Sequence, residues 1–284
     1  MKKLIAILVA CSMLTPTQAF AIDGGKEVPG HPRIVSVNVG PQLERYWACT
    51  GFLYAPRIVI TAAHCLFKPP RSQERLNDSW VYVGKPGSVL QTNEKQIQAQ
   101  KIFMPDSYKN ERFGNLYNNE DFAVIVTRQV VAKVSRAVPI SEKELKQLHS
   151  NFGRVLIGGY GFSNEEERYQ DRNGKKYPRL IELELAPLDY IQRFGVVDPI
   201  EKYGWAMTNS TVGSTCDGDS GAGFFIEKGK KTVYVGLNAW PIGSPNCWNR
   251  QGWSGSGGLN RIDPIYNHTD LLDQALAYEV KVRR

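Results

Sequence analysis

Arg57-Ile58-Val59-Ile60-Thr61-Ala62-Ala63-His64-Cys65 is the stretch on which the reading of this chain turns. Ile58 to Thr61 is a short β-branched run, the composition of a buried strand. It leads through two alanines into a histidine. Taken alone a histidine is an ordinary surface or core residue. His64 differs by context, because it follows an apolar strand directly and has an adjacent cysteine able to anchor it. Similar runs recur at Arg33–Val39, Arg57–Thr61, Phe122–Thr127, Arg154–Gly158, Leu180–Ala186 and Thr232–Ala239, broken by Gly, Pro and Asn. Short strands with turn residues between them favour a sandwich or barrel over βαβ units, so the chain reads as all-β.

Helical signals are clear in two places. Ser141-x-x-Glu144 is a capping-box pattern that opens a short helix to about His149. Thr269–Val280 sets Leu272, Leu276 and Val280 four residues apart, an apolar stripe on a terminal helix over residues 269–280. Between them, Arg128 to Leu148 carries no strong strand signal after Pro139 and divides the chain into two β units. The polar run from Gly161 to Pro178 reads as a solvated surface loop.

The 284 residues carry 42% apolar and 22% charged side chains, which excludes a disordered chain and leaves enough material for one large or two moderate domains. Met1-Lys2-Lys3, the apolar stretch Leu4–Ala10 and the small-x-small site Ala19-Phe20-Ala21 read together as a secretory signal over residues 1–21. A buried N-terminal helix, and a lipoprotein leader ending at Cys11, are the alternatives. Removing 21 residues from 284 leaves 263, takes away Lys2 and Lys3, and lowers the formal charge from +7 to +5. Cys11 leaves as well. Cys49, Cys65, Cys216 and Cys247 remain, and four cysteines allow three connectivities. Local pairing, Cys49 with Cys65 and Cys216 with Cys247, closes the shortest loops and leaves one bridge in each half.

Downstream of His64 an acid enters an apolar strand in Asn118-Asn119-Glu120-Asp121-Phe122-Ala123-Val124-Ile125, and Cys216-Asp217-Gly218-Asp219-Ser220-Gly221 follows. With these three motifs, in the order His, Asp, Ser, the mature chain resembles the chymotrypsin/trypsin family of serine endopeptidases, of a secreted bacterial kind. The resemblance implies two six-stranded antiparallel β-barrels with a C-terminal α-helix and an active site in the cleft between them. It assigns residues 22–137 to the barrel carrying His64 and Asp121, and 138–284 to the barrel carrying Ser220. A serine hydroxyl is a weak nucleophile, so His64 would take its proton and later protonate the leaving amine. Asp121 would hold the imidazole tautomer and stabilise the imidazolium, and the N–H groups of Gly218 and Ser220 would receive the oxyanion. The family's new N-terminus pairs with the aspartate before the nucleophile. Here Ile22-Asp23-Gly24-Gly25 follows Ala21 directly, so removal of the signal would itself free Ile22 to pair with Asp219.

The departures from the family fall around the specificity pocket. The position whose aspartate selects Lys or Arg is Ser214, so a basic P1 residue is not expected. Gly257 aligns with the glycine that keeps wide pockets open, which points to a neutral P1, aromatic or large apolar. Asn238 and Thr215 point instead to a polar or acidic one, with Arg250 a possible aid. In Asn238-Ala239-Trp240-Pro241 the alanine replaces a serine that helps hold the triad aspartate. Pro241 has no N–H to give a substrate strand. Trp248 and Trp253 form either a pocket wall or packed loop residues. Pro241 and Ala239 also support an alternative reading as a non-catalytic binding or adhesion module, and an ester-cleaving acyl hydrolase would share the same triad. The expected partners are protein or peptide substrates acted on by a monomer. No cofactor, metal or nucleic acid is implied, and no membrane once the signal is gone.

Overall fold

The computed structural model describes residues 22, 24–40, 47–67, 74–88, 96–108, 121–161, 177–193, 202–208, 213–216, 218–242 and 258–283. The calls on the leader, the Asn118–Glu120 approach, the polar loop after Gly161, Asp217, Cys247, Trp248, Arg250, Trp253 and Gly257 lie outside them.

Six strands close a barrel: β2 (Ile34–Val39), β3 (Trp47–Ala55), β4 (Ile58–Thr61), β7 (Ala123–Thr127), β6 (Ile97–Phe103) and β5 (Val81–Val83), which returns to β2. Every pairing in it is antiparallel. β2 is buried at all six positions rather than at alternate ones. One face fills the barrel and the other meets the second unit, where Ile34 lies so close to Gly158 that a Cβ there would clash with its Cδ1.

The second unit is an eight-stranded sheet. Its main path runs β10 (Arg179–Glu184), β9 (Arg154–Gly159), β12 (Gly223–Lys228), β13 (Lys231–Ile242), β14 (Gly258–Pro264) and β11 (Gly204–Thr208). Among the described residues a bridge from Leu185 to Ala206 links the end of β10 to β11. Two short pieces depart from the expected six antiparallel strands. β1 (Lys26–Glu27) adds to the edge of β10, and β8 (Val138–Pro139) pairs with β13 in parallel. β8 lies where the chain crosses from the first barrel: Ala137 N–H donates to Tyr54 O and Ile140 N–H to Tyr234 O. Phe52 of the first barrel stacks at 4.7 Å on Tyr234 and at 5.4 Å on Phe225, so the two units share one apolar core.

The described residues include three α-helices: α1 (Glu142–Ser150), α2 (Leu188–Arg193) and α3 (Thr269–Arg283). Both arms of the capping box form. Glu144 N–H donates to Ser141 Oγ at 3.3 Å and Ser141 N–H to Glu144 Oε2 at 3.0 Å. α2 is too short to show a periodicity. On α3 the buried face is Leu271, Leu272 and Ala275, with Tyr278 against Phe103. The expected stripe is therefore rotated, and Val280 is 52% exposed. Among the described residues no helix is long and apolar enough to cross a membrane.

His149 ties α1 to the second sheet. Its Nδ1–H donates to Ala186 O at 2.7 Å, and its Nε2 accepts the Trp205 N–H at 3.4 Å. Burial lowers its pKa against the opposing Ala186 bond. Burial, then the Arg33 charge, lowers that of His31 to about 4. Both groups are neutral when folded and bind protons more readily when unfolded, so they stabilise the fold above the unfolded value and lose that contribution as pH falls toward their folded values. The melting temperature is expected to drop between pH 7 and pH 4.5. In the His31→Gln/His149→Gln variant, melting curves across that range should show a shallower slope; an unchanged slope would assign it to other groups.

Candidate active site

β4 ends at Thr61, and His64 follows in a short 3-10 turn, Ala63–Leu66. The turn is pinned by the Cys49–Cys65 disulfide, which ties it to β3 across 16 residues. A loop of that size is worth about 3 kcal/mol in the chain-entropy view. The sulfurs are oxidised, so the grouping of Cys49, His64 and Cys65 is not a thiolate metal site. Cys216 is also disulfide-bonded.

Asp121 stands just before β7 and holds His64 twice. Its Oδ1 accepts the His64 backbone N–H and its Oδ2 faces Nδ1, both at 2.8 Å. This fixes the ring's position and puts the Nδ1 proton toward the acid, leaving Nε2 as the basic nitrogen. Burial pulls the His64 pKa down most, but the Asp121 charge and hydrogen bond together outweigh it, and the pKa stands above its ordinary value. Tyr108, which the sequence reading passed over, sits beside this pair: burial and then the Asp121 charge raise its phenol pKa.

Ser220 is brought to this corner by its backbone. Ser220 O accepts the Thr50 N–H at 2.9 Å and lies 3.9 Å from Cys65 Sγ, which itself is 3.7 Å from His64 Nε2. Thr50, fully buried, is the hub that sequence reading missed. Its hydroxyl donates to Gly218 O at 2.8 Å and accepts the Tyr160 N–H at 3.0 Å, while its carbonyl accepts Thr61 Oγ1 at 2.8 Å. Gly221 has φ +84°, and a side chain there would strike Thr61 Oγ1 and Thr50 O. The turn can therefore dock on the β3–β4 edge only with glycine at that position. Among the described residues no hydrogen bond joins Ser220 Oγ to His64; such bonds are commonly long in unliganded sites.

Gly218 has φ +94°, and a Cβ on it would come 2.9 Å from Gly161 Cα. Among the described residues neither Gly218 N–H nor Ser220 N–H donates to a protein acceptor. Two open backbone donors in one turn beside a serine suit an incoming oxyanion. Asp219 is fully buried and accepts the N–H groups of Gly161 at 2.7 Å and Cys216 at 2.8 Å. Ile22 is also fully buried, with φ +43°. It reaches the same corner: Ile22 and the Leu180 carbonyl both lie against Gly25, Leu180 pairs with Gly158, and the next residue, Gly159, abuts the Asp219 carboxylate. No hydrogen bond joins Ile22 N–H to Asp219 among the described residues.

Of the expected pocket residues, Ser214 and Thr215 are buried in the segment leading to Ser220. Trp240 and Pro241 lie on β13 opposite Arg261 and Asn260, past a bulge at Ala239. Thr215 Oγ1 meets Asn260 Oδ1 at 3.3 Å. The residue facing Thr215 is thus Asn260, an amide that the alignment through Gly257 did not bring out.

A closed barrel, a second β unit and a C-terminal helix, with a His–Asp pair and a serine turn at their junction, form the architecture of a two-barrel serine protease. The chain belongs to the trypsin family, whose model, described as Trypsin, matches residues 22–250. It is 28% identical over 245 residues to the urokinase-type plasminogen activator of Gallus gallus, covering 82% of this chain and 54% of that protein. It is 24% identical over 226 residues to Hypodermin-B of Hypoderma lineatum, covering 78% of each. With Ovochymase of Halocynthia roretzi it shares 21% over 223 residues, covering 77% of this chain and 13% of that protein. The chain thus spans about half the length of the urokinase-type relative.

Proposed function

We propose that this chain is a secreted serine endopeptidase that cleaves peptide bonds through an acyl-enzyme. Ser220 is the nucleophile, His64 the base and then the acid, and Asp121 the group that orients it. The Gly218 and Ser220 N–H groups stabilise the oxyanion. The observation that carries the reading is the doubly bonded His64–Asp121 pair, which leaves Nε2 as the basic nitrogen beside the Ser220 turn. In the first step Ser220 Oγ forms a bond to the scissile carbonyl carbon as His64 takes its proton. The tetrahedral intermediate collapses, the C–N bond breaks, and His64 gives the proton to the leaving amine. Water then repeats the sequence and frees the acid. The His64 pKa, raised by Asp121, puts the acid limb of the rate profile above that of an ordinary histidine.

Ser214 carries no charge, so P1 Lys or Arg finds no counter-ion there and a neutral P1 residue is expected. Removal of residues 1–21 exposes Ile22 and activates the enzyme by pairing its ammonium with Asp219. The test is labelling of processed, exported protein with a fluorophosphonate, followed by cleavage of a diverse peptide library read by mass spectrometry. Labelling that disappears in Ser220→Ala is expected. Absence of labelling would favour a binding module, labelling without any peptide cleavage an ester hydrolase, and mostly Lys or Arg at P1 would refute the pocket reading.

A further inference from the structure

Two buried amides flank the turn that carries Ser220, one from each neighbouring strand. Asn260 on β14 is fully buried; its Oδ1 meets Thr215 Oγ1, and its Nδ2 has no hydrogen-bond partner. Asn238 on β13 is 8% exposed; its Nδ2 reaches Asp219 O at 3.5 Å, and its Oδ1 has no partner. Thr215 and Asp219 belong to the same turn, closed by the Asp219 N–H to Cys216 O bond at 3.0 Å. A buried amide atom left without a partner is costly. The two stand on one face of the paired strands beside this turn, since Asn238 lies opposite Ile262, two residues from Asn260, and a ligand's polar atoms set there would complete both.

We infer that, given the endopeptidase reading on which this rests, Asn260 and Asn238 select a P1 side chain ending in a carboxamide, glutamine or asparagine. Asn238 donates to the Asp219 carbonyl through Nδ2, so its unpartnered atom, Oδ1, is an acceptor and calls for an N–H on the substrate. Thr215, a hydroxyl, can bond either end of the Asn260 amide. With Nδ2 free, as here, Asn260 calls for an acceptor. A carboxamide supplies both. A carboxylate would set an oxygen against Asn238 Oδ1. The nearest arginine in sequence, Arg261, points to the other face of β14 with its guanidinium 4.5 Å over the Tyr203 ring. An apolar side chain would leave both amide atoms buried and unmet, the circumstance in which polar sites reject their apolar analogues most strongly. Lys would find an acceptor but no counter-charge among Ser214, Thr215, Asn238 and Asn260.

The experiment uses the processed, exported protein, its active sites counted by fluorophosphonate titration so that failure of the nucleophile is seen separately from failure of the pocket. Otherwise identical fluorogenic peptides carry Gln, Asn, Glu, Met, Phe or Lys at P1. Gln or Asn is expected to exceed near-isosteric Met by about 100-fold in kcat/KM per titrated site, and Glu by about tenfold. Asn260→Gly should lose that margin over Met. The isosteric Asn260→Asp, which keeps the side-chain volume, should reverse the Gln-to-Lys ratio by about tenfold or more, because it adds the missing counter-charge. Equal rates for Gln and Met, a preference for Glu, or an Asn260→Asp variant with the parent's ratios would each overturn the assignment while titration left the endopeptidase reading standing.

Discussion

Asp121→Asn is expected to lower kcat by about four orders of magnitude with little change in melting temperature. The reason lies in the two bonds that the carboxylate accepts. Oδ1 takes the His64 backbone N–H and Oδ2 faces Nδ1, both at 2.8 Å. An asparagine has one oxygen and one NH2 to set against those two places. With the oxygen kept on the backbone N–H, the NH2 donates to Nδ1, drives the ring proton to Nε2 and removes the base. With the oxygen on Nδ1, the NH2 collides with the backbone N–H. The second arrangement would keep Nε2 basic but sets two donors against each other, so the first prevails and leaves His64 in place without a base to accept the proton of Ser220. A second readout separates this from simple misfolding. The charge of Asp121 helps hold the His64 pKa up, so its removal should move the acid limb of the residual kcat/KM profile to lower pH. A variant with near-parental kcat, or one whose acid limb stays put, would show that Asp121 does not govern His64.

That pair is legible in the sequence because each half flanks a strand whose apolar run is plain, His64 after Ile58–Thr61 and Asp121 before Ala123–Thr127. Ile58–Thr61 delivers His64, and Ala123–Thr127 delivers Asp121 from the adjacent strand, since β4 and β7 pair with Thr61 opposite Ala123. The barrel partners β3 and β11 were not read as strands. Trp47–Ala55 contains Cys49, Thr50 and Gly51, and Gly204–Thr208 mixes glycine, alanine and methionine, so neither alternates nor forms a clean β-branched run. Gly51 is there because a Cβ would strike Val37 and Val59 on the two strands that flank β3, a constraint visible only in three dimensions. The terminal helix was found, but its buried face turned toward Leu271 and Ala275, because β6 and β7 of the first barrel decide which side is covered. Thr50 and Asn260 could not be singled out from sequence. Their roles come from partners 168 and 45 residues away, and nothing local distinguishes them from any threonine or asparagine in a strand.

A single residue inserted between Ala21 and Ile22 is expected to cut kcat/KM by two to three decades while the exported protein stays folded. Breaking a buried ion pair by displacing one partner costs about 3–5 kcal/mol, and each 1.4 kcal/mol is a factor of ten. Ile22 is already seated in the core with residues 1–21 attached, so its side chain does not have to find its place after cleavage. Its φ of +43° is a left-handed value that a β-branched residue rarely adopts. Cutting the bond before Ile22 removes the preceding carbonyl, and with it the φ torsion that carries the strain, so the new terminus gains freedom as it gains charge. Its ammonium then lies beside a corner where Gly25, Leu180, Gly158 and Gly159 connect Ile22 to the fully buried Asp219. Asp219 in turn holds Gly161 and Cys216 by their N–H groups, and its own N–H and carbonyl anchor the turn to Cys216 and Ala222, so whatever orders this carboxylate orders the Gly218 and Ser220 donors. An extra residue ahead of Ile22 would carry the charge past that corner. The measurement is kcat/KM on protein whose N-terminus has been sequenced, beside a thermal melt. Full activity with the added residue still present would sink the activation proposal, whereas lost activity restored by trimming back to Ile22 would establish that the leader's removal is the switch.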